Sequence, residues 1–192
     1  MNKKLSDDYI EKAYVNGAPV HNDVIHLEEY NDEWPRLFQR EKKRLQNLLG
    51  KEAVQIEHIG STSVPGLCAK PIIDILLVVE DTEKEDRYVP ALLGAGYVLK
   101  IYEPEFEHHH MFKGPDTDIN LHVYPVGSQE ITKYIRFRDY MRRNKDAMKL
   151  YADTKRELAK RKWKYVQNYA DAKSEVVTKI INDANAYWDA QK

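Results

Sequence analysis

Nine residues, Pro71–Val79, constrain this chain more than any other stretch. The run PIIDILLVV is apolar and β-rich apart from one aspartate, the pattern of a central strand covered on both faces. A strand of that kind needs a layer on each side of its sheet, and 192 residues are enough to supply them. Asp74 then stands out, because an ionised carboxylate among aliphatic side chains needs a metal ion, a cation or several hydrogen-bond donors. Lys70, four residues earlier, is one such cation. Alternatively, Asp74 pins the preceding loop by accepting its backbone amides. That loop, Gly60–Lys70, holds two glycines, a proline and three hydroxyls between two strands. Glycine lets backbone amides approach a ligand and hydroxyls add donors, so Gly60, Ser61, Thr62 and Ser63 are candidates to hold phosphate.

Around this centre the spacing predicts an α+β chain. Residues 1–23 form an N-terminal arm, a short helix or loose segment broken at Gly17-Ala18-Pro19. Residues 24–128 form the sheet domain, and 129–192 a helical region packed on it. Strands are expected at Val24–Tyr30, Ala53–Ile59, Pro71–Val79, Tyr97–Tyr102, Glu107–Phe112 and Asp118–Tyr124. A helix capped near Asn31–Asp32, with Pro35 in its first turn, runs to Gly50; another covers 82–95. The C-terminal pattern reads as helices over 129–143, 146–162 and 168–190.

Composition excludes whole classes. No run approaches the roughly 20 apolar residues of a membrane helix, and the N-terminus lacks the apolar stretch of a signal peptide, so a cytoplasmic location is expected. One cysteine, Cys68, provides neither an internal disulfide nor a thiolate cluster. The net charge of -1 hides an asymmetry: 14 basic against 22 acidic residues up to 129, then 16 against 9. A basic C-terminal third can face an anion, although most of these residues simply solvate outer helix faces. No groove-reading motif accompanies the near-neutral charge, so nucleic acid is not the expected partner.

Other side chains carry two readings each. Arg138 and Arg142, at i and i+4, can clamp a phosphate or bridge to nearby carboxylates such as Asp139. Lys173, one helical turn from Tyr169, closes a pocket or packs helices; Lys155 is equally ambiguous. In the run His108-His109-His110, strand alternation puts His108 and His110 on one face and turns His109 away, so His110 or His108 is the pocket residue. His58 shares a face with Val54 and Ile56 and reads as a core histidine.

The run HIGSTSVPGLCAKPIIDILLVV resembles the signature of the GrpB family, within the nucleotidyltransferase superfamily. NLHVYPVGS, FRDYMRRN and YADTKREL extend the likeness over about residues 24–183. The resemblance implies that Gly60-Ser61 hold nucleotide phosphates and that Asp74 is the first of two metal-binding acids on one strand. The second acid position falls on Leu76, which cannot ligate magnesium, so the usual two-metal arrangement is incomplete. Asn120 or His122 would stand where the superfamily's third acid lies. Asp74 with His122, and with His110 nearby, would suit manganese or zinc better than magnesium.

Two functions follow. One is transfer of a nucleotidyl group from a nucleoside triphosphate to a small-molecule acceptor, with Asp74 catalytic and Mg2+ or Mn2+ as cofactor. The other is a non-catalytic module binding a nucleotide or a coenzyme A precursor, which family relatives fused to dephospho-CoA kinase suggest.

Overall fold

A computed structural model describes residues 5–191. The expected alternation builds a five-stranded sheet from β1 (Gln55–Ile59), β2 (Ile73–Val79), β3 (Val98–Glu103), β4 (His109–Lys113) and β5 (Ile119–Pro125), in the order β1-β2-β5-β4-β3. Only β2 and β5 run parallel; the other neighbours are antiparallel. The helices are α1 (Asp7–Ala13), α2 (Glu33–Leu49), α3 (Val89–Gly94), α4 (Gln129–Arg143), α5 (Lys145–Ala159), α6 (Val166–Ala172) and α7 (Ser174–Asp189). The architecture is α+β.

One face of the sheet is mainly apolar, with His58 and His110 as its buried polar members. Ile56, Ile73, Ile75, Leu77, Phe112, Leu121 and Val123 pack there against Trp34, Phe38, Leu45 and Leu49 of α2 and Leu92 of α3. The amphipathic period of α2 forces this docking, and Asn31 Oδ1 accepts from Glu33 N at 2.9 Å to start the helix. The opposite face is mixed. Ile59, Leu76, Val78 and Tyr124 pack under Ile131 and Tyr134 of α4, while Asp74, Asn120 and His122 remain half-buried. On β5 the alternation is clean: Ile119, Leu121 and Val123 are buried, Asn120 and His122 partly open. The C-terminal helices close this side, with Met141, Ala147, Tyr151, Ala152 and Ile180 packing on Val64, Leu67 and Cys68 of the glycine loop.

Several expected elements differ. Val24–Tyr30 is extended but forms no strand; it makes single bridges, Asp23 to Trp163 and Glu28 to Ala69, because its neighbours are a loop and the helical region rather than a strand. The 82–95 helix is a 3-10 turn at Glu85–Arg87 followed by the short α3, since Pro90 lacks an N–H and fits only a helix's first turn. The expected 168–190 helix breaks at Lys173 into α6 and α7. Glu107 and His108 adopt positive φ in the turn before β4, so His108 leaves the strand. Of the arm read over 1–23 as a short helix or a loose segment, the described residues form the short helix α1, which is docked. Tyr9 Oη donates to Glu103 at 2.6 Å and Lys164 pairs with Asp7 at 2.7 Å. Residues 1–4 and 192 lie outside the described residues.

Candidate functional site

Strand β1 ends at Gly60, whose φ of +68° and ψ of -171° belong to glycine. A Cβ there would lie 2.3 Å from Asp74 Oδ2, so Gly60 also makes room for the carboxylate. The 3-10 turn Ser61–Ser63 follows. Ser63 Oγ donates to Gly60 O at 2.6 Å, and Thr62 Oγ1 donates to Ile72 O at 3.2 Å and meets His58 Nε2 at 3.0 Å. Thr62 and Ser63, expected to hold phosphate, therefore spend their hydroxyls on the loop itself. Ser61 is left half-buried against the Tyr151 hydroxyl.

Asp74 sits directly across from Asn120 in the parallel register, and Asn120 Nδ2 donates to its Oδ1 at 2.8 Å. Burial pushes the Asp74 carboxyl above its ordinary range; the Asn120 bond and the charges of Lys70, Lys113 and Lys173 oppose that. Lys173 occupies the break between α6 and α7, its Nζ 4.2 Å from the Tyr169 ring centroid. Burial, then repulsion from Lys155 and Lys70, lowers it to about 7 against the pull of Asp74 and Asp171. Lys155 donates to the Cys68 carbonyl, and burial lowers it to about 8. Lys70 is likewise lowered by burial against the attraction of Asp74. The charges of Lys70, Lys113 and Lys173 thus bear on one half-buried carboxylate near the glycine turn, with Lys155 acting on Lys173. That surplus of positive charge suits a phosphate ester.

The donor set fits a divalent metal poorly. Leu76, at the second acid position, is fully buried under α4. Asp74 Oδ1 accepts from Asn120, and the charges acting on the carboxylate are those of lysines. Among the described residues no three His, Cys, Asp or Glu side chains converge as a cation cage.

The arginine pair also differs from the expected clamp. Arg138 is buried, and its Nη1 donates to Glu57 Oε2 at 2.8 Å and to His58 O at 2.9 Å, while Nε donates to Asp139 Oδ1 at 2.8 Å. Arg142 donates twice to Ser63 O, at 3.0 and 2.6 Å. Both brace the strand and loop that carry the site. His58 is a core histidine as read, stacked on Phe38 at 4.8 Å.

The histidine assignment is corrected by register. Met111 pairs with His122 and His110 with Val123, so His110 lies on the apolar face, away from Asp74 and His122. There it bonds Tyr88 Oη and Glu85. His108, in the turn, meets the Tyr102 hydroxyl at 3.1 Å. His109, which a strand running from Glu107 would turn away, is the one that reaches His122, at 3.1 Å. Sequence reasoning missed it because alternation separates His109 from His110 but only the pairing of β4 with β5 decides which of the two faces meets His122. Lys113 was also missed; its register opposite Asn120 was the available signal.

A Gly-Ser turn leading to an aspartate on a central strand, in a mixed sheet closed by helices, defines a nucleotidyltransferase-like fold. The Cid1 poly(U) polymerase, solved with Mg and 3'-dATP bound, shares it: TM-score 0.51 at 9% identity, over 68% of this chain and 43% of that one. The GrpB protein family matches residues 24–183, and the chain belongs to that family. A UPF0157 protein of Halalkalibacterium halodurans is 53% identical, covering 94% of this chain and 93% of its own. The crystal structure of conserved protein GrpB from Enterococcus faecalis has a TM-score of 0.73 and 34% identity, over 85% of this chain and 99% of that one. A dephospho-CoA kinase of Mycolicibacterium paratuberculosis is 38% identical over 87 residues, 44% of this chain but 20% of that enzyme. No helix among the described residues is long and apolar enough to cross a membrane.

Proposed function

We propose that this chain binds a nucleoside triphosphate in the recess over Asp74 and transfers its nucleotidyl group to a hydroxyl of a small-molecule acceptor. One observation carries the reading: the charges of Lys70, Lys113 and Lys173 bear on the single Asp74 carboxylate next to a glycine-serine turn, with Lys155 repelling Lys173. Phosphate oxygens would neutralise these lysines, relieving a repulsion that the free protein bears. Ser61 and the amides of the Gly60 turn would contribute neutral donors. Asn120 fixes the Asp74 carboxylate, which would orient the acceptor hydroxyl. Lysines would thus supply charge neutralisation that a lone carboxylate is ill-suited to recruit from metal ions.

Leu76 favours a second reading, a binding module without turnover, and the partial match to a dephospho-CoA kinase makes a coenzyme A precursor a ligand to try. Calorimetric titration with ATP, GTP, CTP, UTP and dephospho-CoA, in EDTA and then in Mg2+ or Mn2+, separates the two. Triphosphate binding in EDTA that is lost in Lys173→Met, with pyrophosphate released from a panel of hydroxyl acceptors, supports transfer. Dephospho-CoA binding with no turnover selects the module. If nothing binds the wild type, the phosphate recess is wrong.

A further inference from the structure

The structure holds a cavity of about 230 Å3 that the nucleotide reading leaves empty of purpose. Its floor is the sheet face carrying His109, His122 and Tyr124; its roof is α1, through Tyr9, Ile10 and Tyr14. Within it runs an unbroken hydrogen-bonded chain. Tyr9 Oη donates to Glu103 Oε1 at 2.6 Å, Glu103 Oε2 meets His109 Nδ1 at 2.8 Å, and His109 Nε2 meets His122 Nδ1 at 3.1 Å. His122 Nε2 has no partner among the described residues, and its ring lines the cavity. Two residues before it on the same strand and face is Asn120, which holds Asp74.

We propose that Glu103, His109 and His122 form a proton relay whose open end, His122 Nε2, faces this cavity and takes the proton of an acceptor hydroxyl bound there. The cavity is then the acceptor compartment of the site, an assignment that rests on the nucleotide reading above. Tautomers follow from the partners. The Glu103 carboxylate only accepts, so the His109 proton sits on Nδ1 and Nε2 is bare; that nitrogen accepts Nδ1–H of His122, leaving His122 Nε2 bare in turn. In transfer, the acceptor oxygen bonds to the α-phosphorus as the bond to the pyrophosphate oxygen breaks, and pyrophosphate leaves with that electron pair. The hydroxyl proton goes to His122 Nε2, and the Nδ1 proton of His122 moves to His109 Nε2. The charge comes to rest on a His109 imidazolium paired with Glu103. Glu103 and His109 are positioning residues; of the three relay members only His122 touches the acceptor. The relay also answers a difficulty: burial and the adjacent His109 lower His122 to about 3, a weak base alone, yet the proton does not stay on it.

Glu103→Gln tests the relay without a substrate. Tyr9 still donates to the side-chain oxygen, so the new amide N–H faces His109 and donates to Nδ1. Both histidines must then shift their protons to Nε2. Long-range 15N–1H spectra at about pH 8 should show unprotonated Nε2 on His109 and His122 in the wild type and Nε2–H on both in Glu103→Gln. Mapping after diethyl pyrocarbonate should find His122 modified in the wild type and spared in the variant. Backbone amide spectra of the same samples report that the fold is kept. A wild-type His122 carrying Nε2–H, or a variant in which His122 is unchanged, would overturn the relay. ATP titrated into both proteins should bind equally. Failure of ATP to bind the wild type would remove the nucleotide reading while the tautomers still decide the relay.

Discussion

Asn120 donates to Asp74 from the directly opposite register position of a parallel strand, at 2.8 Å, where the superfamily pattern leads one to expect another acid. The substitution changes the physics of the pair. Two carboxylates at this separation would repel and demand a cation, whereas an amide satisfies one carboxylate oxygen and asks for nothing more. With Leu76 buried alongside, the charges that oppose the effect of burial on Asp74 are those of Lys70, Lys113 and Lys173.

Asp74→Asn should therefore stabilise the free protein near neutral pH. Burial, the dominant influence, raises the native carboxyl above its unfolded value, so the native state holds its proton more tightly. That contribution is present at low pH and is lost as pH rises through the raised native value. The amide removes this loss. A gain of a few degrees in Tm is expected at pH 7, each kcal/mol being worth about 2–4 °C at this size, and it should shrink towards pH 4. Thermal unfolding from pH 4 to 8 checks it; a lower Tm at pH 7 would contradict it.

Much of this arrangement was readable from residues alone. Alternation on β5 put Asn120, His122 and Tyr124 on one face, and the apolar run around Asp74 marked β2 as central. What failed depended on facts outside any local pattern. Which face of the histidine run meets His122 is set by the pairing of β4 with β5, which puts His109 and not His110 there. Of the two readings of Arg138 the bridge to Asp139 is seen, but its further acceptors, Glu57 and the His58 carbonyl, lie about 80 residues away, beyond any local pattern. Lys173 gained its place only because α6 and α7 break there, which helical periodicity across 168–190 does not signal.

Gly60→Ala should unfold the site from its centre. The backbone conformation costs an L-residue about 1–2 kcal/mol, and the overlap with Asp74 Oδ2 at 2.3 Å adds about 1–3 more. A Tm drop of roughly 5–15 °C is expected. Gly60→Ala in an Asp74→Ala background should recover part of it, since the overlapping oxygen is gone. Scanning calorimetry on both variants measures the coupling, and strict additivity would refute the contact.

Arg138→Lys separates bracing from ligand binding. A lysine keeps the charge but cannot span Glu57, the His58 carbonyl and Asp139 together. Loss of this buried fork should cost about 2 kcal/mol, seen as a Tm lower by about 4–8 °C. Triphosphate affinity, measured by calorimetry well below the new Tm, should stay at the wild-type value. A large affinity loss with unchanged Tm would return Arg138 to the ligand.

Lys173 should make phosphate binding a proton-uptake reaction. In the free protein burial and the neighbouring lysines lower it to about 7, far under its unfolded value. At pH 8 most native molecules hold it neutral, whereas unfolded chains keep it charged. Native stability therefore bears the full cost below about pH 7 and rises as pH climbs above it. A bound phosphate supplies the missing counter-charge and draws the proton back. Titrating ATP at pH 8 in buffers of different ionisation enthalpy should reveal net uptake, which fades towards pH 6, where the lysine is already charged. Lys173→Met should abolish most of the uptake, leaving the share of Lys155, which burial lowers to about 8. The same variant should bind ATP about 10- to 100-fold more weakly, the scale of one charged hydrogen bond. Its Tm should rise at pH 6 and rise less at pH 9, the gain fading only as pH passes the unfolded value of the lysine. Binding with no proton uptake in the wild type would place the phosphates away from Lys173.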